Sequence, residues 1–502
     1  MRPTVPAFVL LFALTAAPAF AQAPAAESPP WAASAAPADS ATADASPVAG
    51  TTSFLVENLS RAEVWRYFEP RPGAAVEPDY AFVGNRSSLG ASYDGPRWSF
   101  QGTLQYVRLE NLPSKAIGPG LLGTGAAYYF QAAGEFSYQF YLRGLSLTWR
   151  DRGRGVWAEA GRLSRAAATE PASGDATIDR VVRDELQGRL LGDMEWSFYE
   201  RAWDGVRGGI AKGGRSATLT LALPTQGTYE ESANLFMDRV PVAAIELAAQ
   251  PGALVRHTRV DAFAIRYDDT RRITARPDNT GRPTNRADIT VVAVGGSLAG
   301  AYPSRAGTTD VTVWAAGQGG HWYEQSHRGR AATASVGQRV TGVAGQPWLR
   351  AGVAWASGDG NPADDRHDTF FPMLPSGDRV SSLNAYALMN VRDVWTRLQV
   401  TPHRAVDLAA SAHRVRLADG ADRWYQGSGA TIRAGNYFGY QGRNARGATT
   451  LGTVLDAQVT WRPRRWWTLR ALAGRILGGD VPATLFARPR LTTGWVESTL
   501  RF

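Results

Sequence analysis

The feature that most constrains this chain is a period of two that begins at Thr51 and runs to Phe502. Trp98, Phe100, Leu104 and Tyr106 share one parity, while Ser99, Gln101, Thr103 and Gln105 share the other. The pattern recurs at Leu455, Ala457, Val459 and Trp461 against Val454, Asp456, Gln458 and Thr460. It recurs again at Val496, Leu500 and Phe502 against Glu497, Thr499 and Arg501. Successive side chains of a strand point to opposite faces, so these segments read as strands with one greasy and one wet face. No stretch after the first residues holds ~18 consecutive apolar side chains, which excludes a spanning helix. A mean hydropathy of −0.25 leaves a membrane barrel open, because lipid-facing and lumen-facing residues cancel in any window.

The connections between strands alternate in length. Short ones are expected at Asp94 to Pro96, Asp151 to Arg154, Lys212 to Gly214, Gln250 to Leu254, Thr341 to Gln346, Thr401 to Arg404 and Arg462 to Arg465. Long ones are expected at Asn111 to Glu135, Ser164 to Asp193, Asp268 to Ala287, Gly319 to Gly329, Gly358 to Ser382 and Asp419 to Thr449. Short periplasmic turns facing long external loops mark outer-membrane barrels, whereas a soluble β-sandwich has no reason for the asymmetry. The fold class is therefore all-β, a closed transmembrane antiparallel barrel of about 18 strands. Closure is forced, since in lipid every backbone N–H and C=O must be paired within the protein. A barrel of that size encloses water, so its width argues for transport.

The chain ends support this reading. Arg2, the apolar run Val5 to Ala17 and the small residues of Ala19-Phe20-Ala21 read as a signal peptide over residues 1–21, cleaved before Gln22. The run is too short for a membrane anchor. Residues 22–50, rich in Ala, Pro and Ser, read as a disordered linker. Residues 51–502 are the barrel, and the terminal Phe502 resembles the aromatic end of bacterial outer-membrane barrels. The sequence holds no Cys, which suits passage through an oxidising compartment. The net charge is +9 and Lys115 and Lys212 are the only lysines, so the cation is Arg. Scattered rather than in runs, these arginines fit an anionic cargo and not nucleic acid.

Two stretches carry a family resemblance. Gly161-Arg162, Gly188-Arg189-Leu190-Leu191-Gly192-Asp193, Trp196 and Arg201-Ala202-Trp203-Asp204-Gly205-Val206-Arg207 form one. Ser357-Gly358-Asp359 to Thr369-Phe370-Phe371-Pro372-Met373-Leu374-Pro375 forms the other. Both are similar to motifs of the alginate-export family of outer-membrane porins, with Trp203 in place of a usual Phe. The resemblance implies a monomeric barrel, outer-membrane lipid as surroundings, an anionic polysaccharide or oligosaccharide as cargo, and periplasmic export machinery as a partner. It implies no enzyme and no cofactor. The late turns Thr401 to Arg404 and Arg462 to Arg465 depart from the family's long periplasmic turn that covers the pore.

By resemblance, Arg162, Arg189, Arg201 and Asp204 are expected to line the pore, with Glu200 on the strand face of Asp204. Arg201 and Asp204 lie three apart and cannot both face inward without a bulge. By alternation, Arg86, Asn390, Arg392, Asp407, Arg470, Glu497 and Arg501 join them. Any one of these could equally be a polar residue that merely wets the lumen. An exposed carboxylate–Arg contact is worth roughly 1 kcal/mol, so several in series would favour a polyuronate without trapping it. Asp359, Asp364, Asp365 and Asp368 offer oxygen ligands for a structural Ca²⁺, although such a loop is more often simply solvated. Rival readings are an uptake porin for small anions or oligosaccharides, a lipase-like barrel using Ser411 and His413, and a soluble secreted β-protein.

Overall fold

In the computed structural model the described residues are 50–117, 121–164, 172–229, 233–271, 288–376, 382–426 and 442–502. The leader and linker expected over residues 1–49 lie outside them, as does most of the connection after Asp269.

Eighteen long strands carry the fold. They are β1 Thr51–Arg66, β2 Asp79–Asp94, β3 Trp98–Glu110, β4 Phe136–Asp151, β5 Val156–Leu163 and β6 Trp203–Lys212. Next come β7 Arg215–Pro224, β8 Val242–Ala249, β9 Thr258–Asp269, β10 Ile289–Ser304, β11 Gly307–Trp322 and β12 Arg330–Val340. The set ends with β13 Trp348–Ala356, β14 Val391–His403, β15 Val406–Leu417, β16 Thr450–Arg464, β17 Trp467–Gly478 and β18 Arg490–Arg501. Each pairs antiparallel with its neighbours in sequence. Strand β1 then pairs with β18 from Glu57↔Arg501 to Arg66↔Thr492, which closes the barrel. Phe502 finishes the seam, its N–H donating to the Val56 carbonyl at 2.9 Å and its own carbonyl accepting from Val56 N at 3.0 Å.

Every connection named from sequence falls between two strands at the expected end. Four were not legible: residues 67–78, 225–241 and 479–489 at the long-loop end, and the turn at 305–306. The last lies in Pro303-Ser304-Arg305-Ala306-Gly307, a short turn cluster passed over within the long strand texture of Ile289 to Trp322. The two-residue turn Gly213-Gly214 holds both residues at positive φ, 58° and 71°, the hairpin geometry that glycine adopts without strain.

The outer face is apolar around the barrel, with Phe54, Leu89, Phe140, Leu219, Val294, Leu349 and Val394 exposed. Aromatic residues gather near the short-turn end, where Trp466 stacks on Phe502 at 5.6 Å. The interior is less open than the sequence suggests. At the long-loop end, connections fold inward and pack an aromatic core. Tyr128, on helix α1 (Thr124–Ala132), meets Tyr229 at 4.9 Å and Phe198 at 5.9 Å. Phe68 meets Phe486 at 5.1 Å, and Tyr267 meets Phe371 at 5.4 Å. Polar and charged side chains line the middle of the bore.

Candidate functional site: the braced bore

Between β5 and β6, residues 172–202 enter the bore and are fixed to walls on both sides. Asp175 caps helix α2 (Ala176–Val181), its carboxylate accepting from Thr177 N at 2.8 Å and Ile178 N at 3.1 Å. The helix continues as a π-turn, Val182–Leu186. That turn delivers Glu185 to Arg350 of β13 and to Ser335 Oγ of β12, which donates at 2.9 Å.

The other end is held by β1 to β4. Arg86 donates to the carbonyls of Glu195 (3.3 Å) and Ser197 (3.2 Å) and to Glu200 Oε1 (2.8 Å). Arg61 donates to the Trp196 carbonyl at 3.0 Å, with its guanidinium over Phe198 at 4.4 Å. Arg143 and Gln105 donate to Glu200 Oε2 at 2.7 and 3.2 Å. Burial works to raise the Glu200 carboxyl, but Arg86 and Arg143 outweigh it and hold the group below the usual carboxylate range. Charge-assisted hydrogen bonds of this kind are strong because the acceptor is ionised and partly desolvated. The loop thus crosses the bore as a strut rather than hanging as a free lid.

Arg201 ties this strut to a second inward loop. It is fully buried and donates to the Gly192 and Leu374 carbonyls at 2.7 and 2.9 Å and to Thr228 Oγ1 at 3.2 Å. Burial pulls its guanidinium down to about 10, so it stays charged at neutral pH.

Arg189 lies within the strut, its guanidinium 5.5 Å from the Trp314 ring. It borders two cavities of the bore. One is lined by Glu246, Arg259, Asp261 and Trp314, the other by Glu185, Asp393, Trp395, Arg397, Ser411 and His413.

Most bore-facing arginines carry a carboxylate. Arg61 meets Glu63 at 3.0 Å and Glu497 at 3.4 Å, and Arg470 also meets Glu497. Arg207 meets Glu159 at 2.6 Å, Arg350 meets Asp310 at 2.9 Å, and Arg501 meets Glu57. At the short-turn end Asp407 accepts from Arg462 at 2.6 Å and Thr401 at 2.8 Å. Arg397 differs, since it makes no ion pair with any described residue.

Of the sequence candidates, the structure brings Arg86, Arg470, Glu497 and Arg501 to the bore wall, Arg189, Glu200 and Arg201 to the strut, and Asp407 to the lower rim of the bore. Three go elsewhere. Arg162 and Asp204 are opposite one another on β5 and β6, clamped at 2.6 Å, on the outer face. Parity decides this, because Glu159 and Arg207 meet inside and the neighbouring parity must point out. Glu200 and Asp204 therefore share no face. Glu200 precedes the strand in a left-handed conformation (φ 39°) that turns it inward. Arg392 is also outward, in register with Trp355 and Arg416, because inward Asp393 fixes the parity of β14. Asn390 does not line the bore. It is buried at a loop junction and donates to the Asp419 and Arg423 carbonyls.

The acidic quartet does not converge. Asp359 is buried beside Asp422, while Asp364 and Asp368 share Arg366 at 3.8 and 3.4 Å. Among the described residues no three acidic or histidine side chains form a cation site. Sequence reasoning missed Arg61, Arg143, Glu185 and Arg350. The strand members were accessible to alternation, but the partner that makes each a brace comes from another part of the chain.

The alginate-export family model matches residues 155–483, which spans the strut and most of the wall. The chain belongs to the alginate-export family. This alginate-export barrel also resembles solved porins. OccK9 (OpdG) of Pseudomonas aeruginosa is 11% identical with a TM-score of 0.55, covering 89% of this chain and 98% of its own. OccAB4 of Acinetobacter baumannii is 9% identical with a TM-score of 0.54, covering 91% and 99%. Pseudomonas aeruginosa OpdK, solved with vanillate, is 7% identical with a TM-score of 0.52, covering 89% and 98%. At such identities they establish the fold alone. No curated protein matches the chain. The alginate-export barrel is thus an outer-membrane porin, with its long loops external and its short turns periplasmic.

Proposed function

We propose that this barrel is a passive channel for carboxylated saccharides, with alginate-like polyuronate as the cargo and attraction supplied by bore arginines. One observation carries the reading: arginine recurs along the bore wall, mostly half-neutralised by carboxylates, and Arg397 lines a bore cavity without such a partner. A fully compensated wall repels neither sign, whereas an uncompensated guanidinium selects anions. Carboxylate braces keep each attraction weak enough for release.

A second reading rests on the strut. Residues 172–202 cross and narrow the bore, which favours small anions or oligosaccharides moving inward. Cells lacking the protein separate the two. Periplasmic build-up of polymer supports export, and lost growth on uronate oligosaccharides supports uptake.

Chemistry is no part of the proposal. His413 Nδ1 donates to Asp393 at 2.8 Å and Nε2 lies 3.2 Å from Ser411 Oγ, so the orienting partner of a hydrolase is present. Yet Ser411 gives its hydroxyl hydrogen to Asp456. The surrounding backbone N–H groups belong to strand ladders rather than to a turn that could aim them at an oxyanion.

The test is planar-bilayer reversal potential across a KCl gradient, with block by uronate and by neutral oligosaccharides. The wild-type channel prefers anions, uronates block it better, and Arg397→Glu lowers both effects. A wild-type channel without anion preference would overturn the reading.

A further inference from the structure

Arg392, which sequence parity sends into the bore, instead faces the lipid, and it is not alone there. Trp355, Arg392 and Arg416 occupy one row across β13, β14 and β15. Arg414 lies two residues lower on β15, on the same outer face, and all three arginines are exposed. Below them the wall is apolar, with Val353, Val394 and Leu398 open to lipid. The cluster sits at the long-loop ends of β14 and β15.

Several outer-wall arginines carry a carboxylate, and the three gathered here do not. Arg162 is clamped by Asp204, Arg266 by Asp268 and Arg108 by Glu110. In contrast Arg392 donates to the Ala418 carbonyl at 3.2 Å and Arg414 to Thr453 Oγ1 at 3.0 Å. Among the described residues no carboxylate pairs with either, or with Arg416. A guanidinium has five N–H donors, so most of this capacity is unspent. An arginine on the lipid face is costly at the bilayer midplane and cheap at the interface. At the external interface its neighbours are headgroups, and a guanidinium fork matches a phosphate bidentately. Trp355, 37% exposed, is of the residue type that settles at headgroup depth.

We propose that Arg392, Arg414 and Arg416, flanked by Trp355, form a phosphate-binding site on the outer wall that holds a phosphorylated lipid headgroup of the external leaflet. The site is separate from the bore: it anchors the barrel in its leaflet and takes no part in conduction.

The experiment uses the full barrel purified in zwitterionic detergent, with native mass spectrometry as the readout. The probes are diphosphoryl lipid A, its dephosphorylated form and inorganic phosphate. Wild type retains the diphosphoryl lipid in preference to the dephosphorylated one, and millimolar inorganic phosphate does not displace it. Each near-surface arginine strengthens binding to an anionic leaflet by roughly fivefold. Arg392→Gln/Arg414→Gln/Arg416→Gln therefore weakens retention about a hundredfold, with conductance unchanged. Heat-modifiable gel migration reports whether that variant is folded; if it is not, Arg416→Gln alone serves, with a loss of about fivefold. Equal retention by wild type and variant, or of both lipids by wild type, overturns the site. Displacement by inorganic phosphate overturns the lipid as its occupant.

Discussion

Replacing Glu200 by Gln keeps the side chain's shape and removes the charge that Arg86 and Arg143 share. Glu200 accepts three hydrogen bonds in the 2.7–3.2 Å range, and its side chain is 11% exposed. Arg86 would retain Glu57 at 3.6 Å and two loop carbonyls, and Arg143 would retain the Ser164 carbonyl at 2.7 Å. Breaking one partner out of a buried pair costs about 3–5 kcal/mol. The barrel ladders do not involve Glu200, so this loss falls on the strut between Asp193 and Arg201. Local opening should therefore rise by roughly two to three and a half orders of magnitude, read as faster amide hydrogen exchange there and none in the strands. Single-channel records should show added open-level noise. In acid the wild-type anchor behaves the same way. A carboxyl held below its unfolded value stabilises the closed strut above that value and is lost as pH falls through the lowered one. Unchanged exchange in the Glu200→Gln loop would refute the idea that carboxylate bracing holds the strut.

Three further outcomes are expected. His327 and His367 are buried with their Nδ1 atoms 3.0 Å apart, and burial lowers His327 to about 3 and His367 well below its usual value. The packed state therefore excludes protons that the open state takes up below about 6.5, and closure weakens by about 2 kcal/mol per histidine at pH 5. Limited proteolysis around Glu324 and Asp365 at pH 7 and pH 5 checks this, with faster cutting in acid. Burial pushes Asp359 up to about 7 and Asp422 to about 6. A raised carboxyl stabilises the protonated knot at low pH and loses that stability as pH rises through its folded value, so Asp359→Asn should protect this loop at pH 8 in the same assay. Arg162→Gln, on the outer face, should leave ion selectivity unaltered where Arg397→Glu changes it, as bilayer reversal potentials would report.

Much of the barrel was legible because its cause is local. A period of two, broken by short and long connections in turn, leaves closure as the sheet's way to satisfy its backbone in lipid. The turn at 305–306 was passed over although Pro303, Arg305 and Gly307 mark it, because it is only two residues long and sits between two segments of the same texture. The site was legible only in kind. Alternation correctly sent Arg86, Arg470, Glu497 and Arg501 inward, since each lies in a regular strand whose parity its neighbours reveal. It failed at Arg392, where Arg392, Arg414 and Arg416 alternate with Asp393, His413 and Val415, so polarity alone could not say which face was wet. Arg162 and Asp204 failed differently, because motif membership carries no parity.

Strand content, closure and the abundance of interior arginine were determined by the chain itself, since these follow from side-chain alternation and from the cost of an unpaired backbone in lipid. What those arginines do was decided only by the tertiary structure. Glu200 meets Arg86 from 114 residues away and Glu185 meets Arg350 from 165 away. Whether a guanidinium is a brace, a cargo contact or a lipid anchor depends on what the folded chain places within 3 Å of it.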